Sequence, residues 1–272
     1  MKWRKIILFT KTNMNTVTTI HRIVYFFAIA LISCVRSLQI SNVPVQKSFL
    51  RRSDPLSPWC YTVSLDSSYV DGASSNNNFL ASQVWPAARV ASQIIEKHAS
   101  PDWCICELGC GPALPSLTAA TTKKKALQSG YTKTNVNTKV IATDLDSFAL
   151  ELVASAASEQ NLPLSTKIFD LTWKKTALLP HADLYIMSDV FESSTVACGA
   201  AFHAYSAIKK GSYVWVFAQN DRAQREIFLN EIQKLLNKNK DQGIQWSSTF
   251  EPCEGCQLLW LYDVDECKVK YN

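Results

Sequence analysis

From Trp103 onward the sequence alternates between short apolar runs and stretches of helical spacing, and nothing else in it constrains the fold as much. Strand candidates fall at Trp103–Glu107, Val140–Asp144, Thr166–Asp170, Ala182–Ser188, Ser212–Ala218, Gln245–Phe250 and Gln257–Tyr262. Helical patterns separate most of them, at Leu114–Ala120, Ser147–Asn161, Thr195–Lys209 and Asp221–Leu236. A further helix is expected over 84–98, where Val84, Ala87, Ala88, Ala91, Ile94 and Ile95 share one face and Pro86 falls in the first turn. Strands linked through helices pair in parallel, and the helices cover both faces of the sheet. The last two candidates are joined only by EPCEG, too short for a crossover, so they should form an antiparallel hairpin. The expected fold is therefore α/β and Rossmann-like, a seven-stranded, mostly parallel sheet with helices on both faces and an antiparallel C-terminal hairpin.

Charge divides the chain into a leader and a domain. Nine of the 28 basic residues lie within residues 1–53, which hold no acid; the other 19 face 23 acids, a balance of −4. A mildly acidic domain gives no reason to expect nucleic-acid binding. The leader contains IVYFFAIALISCV (23–35), the length of a signal-peptide core, followed by an acid-free segment that bears Ser and Arg (38–53). This order resembles the two-part leaders of plastids bounded by extra membranes; a mitochondrial presequence and secretory retention or membrane anchoring are the alternatives. Residues 54–272 are expected to form the domain, with no stable membrane insertion, since no apolar run reaches the length of a spanning helix.

Three polar features stand beside this pattern. TTKKKALQSGYTKTNVNTK (121–139) has the composition of a solvated insertion. Cys253 and Cys256 form the one close cysteine pair downstream, without the partners a structural zinc site needs, so no metal is expected. His98, His181 and His203 lie alone near element ends or on a helix and belong to no catalytic constellation.

The chemistry is concentrated in CICELGCGPALPSLTAA (104–120). An apolar strand ends at Glu107, Gly109 and Gly111 let the backbone pass close to a ligand, and the following helix offers N–H groups and the positive end of its dipole. A dinucleotide site wants a third glycine where Leu114 stands, which argues against a nicotinamide-dependent oxidoreductase. KVIATDLD places Asp144 at the end of the next strand, where a carboxylate can hold both ribose hydroxyls of a nucleoside cofactor.

The loop resembles motif I of the class I, S-adenosylmethionine-dependent methyltransferases. VWPAARV, ELGCGPALPSL, ATDLD and SDVFES, in this order over roughly residues 60–262, further resemble the seven-β-strand protein lysine methyltransferases grouped as the methyltransferase-16 family. The resemblance implies a class I methyltransferase fold and S-adenosylmethionine as cofactor. Trp85 would line the pocket, Glu107, Gly109 and Gly111 would receive the methionine part, and Asp144 would hold the ribose. Asp170 would receive the adenine amino group, with Trp173 covering its face. Asp189 would lie at the acceptor site. The family's D-x-x-Y tyrosine is Glu192 here, so the acceptor end carries two carboxylates, assigned as catalytic. The implied reaction is direct in-line methyl transfer to a lysine side chain of a protein substrate. A small-molecule N-methyltransferase and an inactive binding module are the alternatives.

Overall fold

In a computed structural model of the chain, two compact units separate at Val43, Met1–Val43 and Pro44–Asn272. The structure describes residues 45–63, 82–130, 139–172, 178–219 and 221–238, together with the backbone of 246–253 and 256–263. The signal-like core at 23–35 lies outside the described residues, as does Trp173.

The second unit opens with an antiparallel pair, β1 (Val45–Phe49) and β2 (Trp59–Val63). It thus begins ahead of Asp54, where the sequence placed the start of the domain, and β1 takes up residues assigned to the leader. A local reason is visible: Lys47 reaches Glu159 at 3.1 Å and lies over the Trp59 ring, so a basic residue that resembled part of an address works as a packing residue.

Among the described residues five helices and seven strands follow: α1 (Pro86–His98), β3 (Ile105–Leu108), α2 (Leu114–Gln128), β4 (Val140–Asp144), α3 (Ser147–Glu159), β5 (Leu164–Ile168), β6 (Leu184–Ser188), α4 (Ser194–Ile208), β7 (Tyr213–Gln219), α5 (Gln224–Lys238), β8 (Trp246–Cys253) and β9 (Cys256–Asp263). The strands form one sheet in the order β5-β4-β3-β6-β7-β9-β8. The first five are parallel, while β9 runs antiparallel to both β7 and β8. This is a Rossmann-like α/β fold, a mostly parallel seven-stranded sheet closed by an antiparallel C-terminal hairpin. Cys253 and Cys256 are opposed as the last pair of the β8–β9 ladder.

Period-2 alternation divides the core between the two faces. Leu184 and Ile186 of β6, with Tyr213, Trp215 and Phe217 of β7, pack with Ala87, Val90, Ala91 and Ile95 of α1. Tyr185 and Met187, with Val214, Val216 and Ala218, point the other way, into α4 and into Phe228, Ile232 and Leu236 of α5. β6 and β7 are apolar almost throughout because both of their faces are covered.

The expected insertion at 121–139 is helix as far as Gln128. Lys123 is 3% exposed, and its ammonium donates to the carbonyl oxygens of Pro101 (2.6 Å) and Trp103. Burial lowers its pKa to about 8. Its neighbour Lys124 donates to the carbonyl of Gln160 at 2.8 Å. Composition misled here because the lysines are spent on backbone carbonyls rather than on solvent.

The chain lays down β3, β4 and β5 outward in one direction, then returns to place β6 on the other side of β3. A crevice must open at the carboxyl ends of β3 and β6, where the direction reverses. Among the described residues no helix is long and apolar enough to cross a membrane.

Candidate functional site

A cleft open to solvent occupies that crevice. Its floor is the turn after β3, in which Gly109 and Gly111 have φ of +70° and +48° and Ala113 has φ of +56°. Left-handed backbone is close to strain-free only for glycine. At Gly109 a side chain is excluded twice over, because a Cβ would lie 2.6 Å from Val190 Cγ1 as well as in this conformation.

Asp144 ties the turn to β4. Its carboxylate accepts the N–H of Gly111 at 2.8 Å and that of Asp146 at 3.0 Å, and it lines the cleft. Burial raises its pKa, while those two N–H groups pull it back. Leu145, the next residue, is 59% exposed and forms part of the same wall. An apolar side chain left bare beside a strand-end carboxylate suits a ligand with one polar and one flat apolar side. Asp170 follows β5 and also lines the cleft, its Oδ1 accepting the N–H and hydroxyl of Thr172 at 2.8 and 2.7 Å. Trp85, half-buried at the N-cap of α1, supplies an indole to the wall.

Glu107 occupies a different place from the one expected. It is 0% exposed and does not line the cleft. Its Oε2 accepts from the Ser116 N–H (3.0 Å) and hydroxyl (2.6 Å), and its Oε1 from the Ser188 hydroxyl (3.2 Å). A carboxylate below the floor thus caps the start of α2, which has no side-chain cap of its own, and fastens it to the end of β6. Pro115 lacks an N–H and Ser116 gives its own to Glu107, so the helix N-terminus has less to offer a ligand than its position in sequence suggests. Burial pushes Glu107 up to about 7, against the pull of Ser116 and Ser188. Ser188 both lines the cleft and holds Glu107; neither serine was singled out from sequence, because neither has a motif to betray it.

On the β6 side Asp189 has φ of +57°, and its side chain is only 1% exposed. Its carboxylate accepts from Gln219 Nε2 (2.9 Å), Arg222 Nε (2.9 Å) and Arg222 Nη2 (2.7 Å). The arginine is bidentate, and its Cζ lies 5.3 Å from the centroid of the Trp85 ring. Asp189 therefore lines the cleft with its charge already matched and both oxygens engaged, which suits a framework anion rather than a proton acceptor. Glu192 is different: it is exposed at the mouth and lines the cleft, and no described cation is paired with it. Partial desolvation raises its pKa, with Asp144 and Asp189 adding to the rise and Arg222 opposing it.

The remaining candidates fall away from the cleft. His98 and His181 are exposed, and His203 is 1% exposed between Phe169 and Phe202, its ring kept neutral by burial with a pKa of about 4. Cys60, Cys104, Cys106, Cys110 and Cys198 are free thiols, and among the described residues no cluster could hold a metal ion.

No family model and no curated protein matches the chain. Solved structures do. A candidate rRNA methylase of Clostridium thermocellum has 10% identity and a TM-score of 0.48, covering 67% of this chain and 98% of its own. A TehB-like SAM-dependent methyltransferase of Corynebacterium glutamicum has 14% identity and a TM-score of 0.44 over 68% of this chain and 92% of its own. The SAH-bound methyltransferase PaMTH1 of Podospora anserina has 8% identity and a TM-score of 0.44 over 70% of this chain and 82% of its own. At such identities and scores the chemistry of the cleft is read from its own residues.

Proposed function

We propose that the cleft binds S-adenosylmethionine and that the protein transfers its methyl group to a lysine side chain of a protein substrate. One observation carries the reading: a turn that admits no Cβ at Gly109, a strand-end carboxylate (Asp144), a second carboxylate (Asp170) and a half-buried indole (Trp85) converge in one cleft at the switch point of the sheet. These groups fit the cofactor's polarity. Asp144 would accept the ribose hydroxyls, Asp170 would face the adenine amino group, and the turn at 109–111 would receive the methionine part. Bound there, the cofactor supplies a methyl group on an already activated sulfonium.

The protein's own share is then orientation and the exclusion of water. Gly109 and Gly111 fix the floor, and Trp85 and Leu145 keep water from its walls. An amine must be neutral to attack, so an arriving ammonium group has to lose a proton. Glu192 carries a carboxylate at the mouth with no cation paired to it among the described residues, which suits it to draw in an ammonium group and take that proton. Asp189, matched by Arg222, is left as the positioning anion of the wall.

The resemblance of VWPAARV, ELGCGPALPSL and SDVFES to the protein lysine methyltransferases supports lysine as acceptor. Incubating the full chain with methyl-tritiated cofactor and a proteome extract, followed by acid hydrolysis, tests this choice. Label recovered as methyllysine is expected; label only in small amines, or transfer unchanged in Glu192→Ala, overturns it. The basic, acid-free segment ahead of β1 supports import into an organelle, a plastid first. A fluorescent fusion that stays in the cytosol speaks against it.

A further inference from the structure

Arg222 was invisible in the sequence motifs, yet it joins three elements around the cleft. It lies beyond β7, its guanidinium fork is bidentate to Asp189 at the end of β6, and its planar group lies over Trp85 at the start of α1. Gln219 supports the same carboxylate from the end of β7. The side chain of Arg222 is 31% exposed against 1% for Asp189, so the pair is largely withdrawn from water on the acid's side. Asp189 holds a left-handed backbone that favours release unless its surroundings keep it there. Trp85 sits at the N-cap of α1 and lines the cleft. Arg222 contacts both residues.

We infer that Arg222 is a positioning residue of this cleft, holding the Trp85 indole against the ligand's side of the wall while locking Asp189 at the end of β6. This rests on the cleft being the cofactor site. A lysine cannot replace it, since a point charge offers neither the planar fork nor the stacking face.

Two readouts on the full chain test the inference. The first needs no ligand: the emission and acrylamide quenching of Trp85, taken as the difference between each protein and its Trp85→Phe counterpart. Arg222→Ala should red-shift that emission and raise the quenching, and Arg222→Lys should not restore it. The second is S-adenosylhomocysteine affinity in a double-mutant cycle. Arg222→Ala should weaken binding about tenfold, the size of one partly buried cation–π contact, and less than about twofold once Trp85 is already Ala. Unchanged Trp85 emission, or the same loss in both backgrounds, overturns the inference. If the wild-type chain binds no S-adenosylhomocysteine the cofactor reading fails, and Trp85 emission still decides the role of Arg222. Should Arg222→Ala not fold, Asp189→Asn loosens the same fork while suiting the left-handed backbone, and it should move the Trp85 signal in the same direction.

Discussion

On the β3–β4 side of the cleft the residues that meet are neighbours in sequence or one crossover apart. Gly109 and Gly111 follow β3 directly, and Asp144 ends the strand paired beside it. On the β6–β7 side the contacts come from farther away: Asp189 is held by Gln219 and Arg222, 30 and 33 residues on, and Arg222 reaches Trp85 before β3. The first wall is a matter of backbone conformation, which particular residue types enforce locally. The second is a matter of charge satisfaction, assembled only when distant elements pack. A change in the first wall should therefore act through strain, and a change in the second through an unmatched charge.

The largest effect is expected at the first wall. Gly109→Ala combines a left-handed alanine with a Cβ 2.6 Å from Val190, a loss of about 2–5 kcal/mol in stability together with cofactor binding. Adding Val190→Ala should recover part of it in thermal denaturation, leaving the backbone strain; no recovery would mean that the contact is not what excludes a side chain.

At the second wall, Asp189→Ala strands Arg222 and should cost about 2–4 kcal/mol in chemical denaturation, as for one partner lost from a mostly buried pair. Asp189→Asn should cost visibly less, since asparagine tolerates φ of +57° and keeps hydrogen-bonding atoms in place. A near-neutral Asp189→Asn, which removes the charge but keeps those atoms, would show that charge matching does not govern this side.

Glu107 joins the two walls from below. Its pKa rises from 4.5 to about 7 on folding, so the folded state holds the proton more tightly and stability falls as pH rises through that window, by about 3 kcal/mol. His203 works in the opposite sense: its folded pKa is lowered to about 4, so the stability it contributes is lost as pH falls below 6.5. Comparing melting curves of Glu107→Gln with wild type across pH 4.5–7 isolates the first slope, because glutamine keeps an oxygen for Ser116 and an amide for Ser188. A difference that does not change with pH would contradict the assignment. The smallest effect is expected at the mouth, where Glu192→Gln should change cofactor affinity by less than about 0.5 kcal/mol, as for an exposed group with no ion pair among the described residues, while slowing transfer.

What was legible in the sequence follows the same division. The order and type of the strands could be read because burial on both faces leaves continuous apolar runs, and Val140–Asp144 even has the expected ends. Gly109, Gly111 and Asp144 could be read because backbone conformation and strand ends leave a residue signature. Glu107 was legible as an acid at a strand end, but not that Ser116 and Ser188 would absorb it. Arg222 had no signature at all, since its partners are set by packing. The lysines at 123 and 124 resembled solvated charge because composition does not reveal a carbonyl waiting in the fold.

The central claim is that the cleft on the glycine side is a nucleoside-cofactor site anchored by Asp144. Calorimetric titration of the full chain with S-adenosylhomocysteine, beside Asp144→Ala, tests it most directly. Two charge-assisted hydrogen bonds of roughly 1.5–3 kcal/mol each are at stake, so micromolar binding by the wild type should vanish in the variant. A folded wild type that does not bind, or a variant that binds as well, would contradict the account.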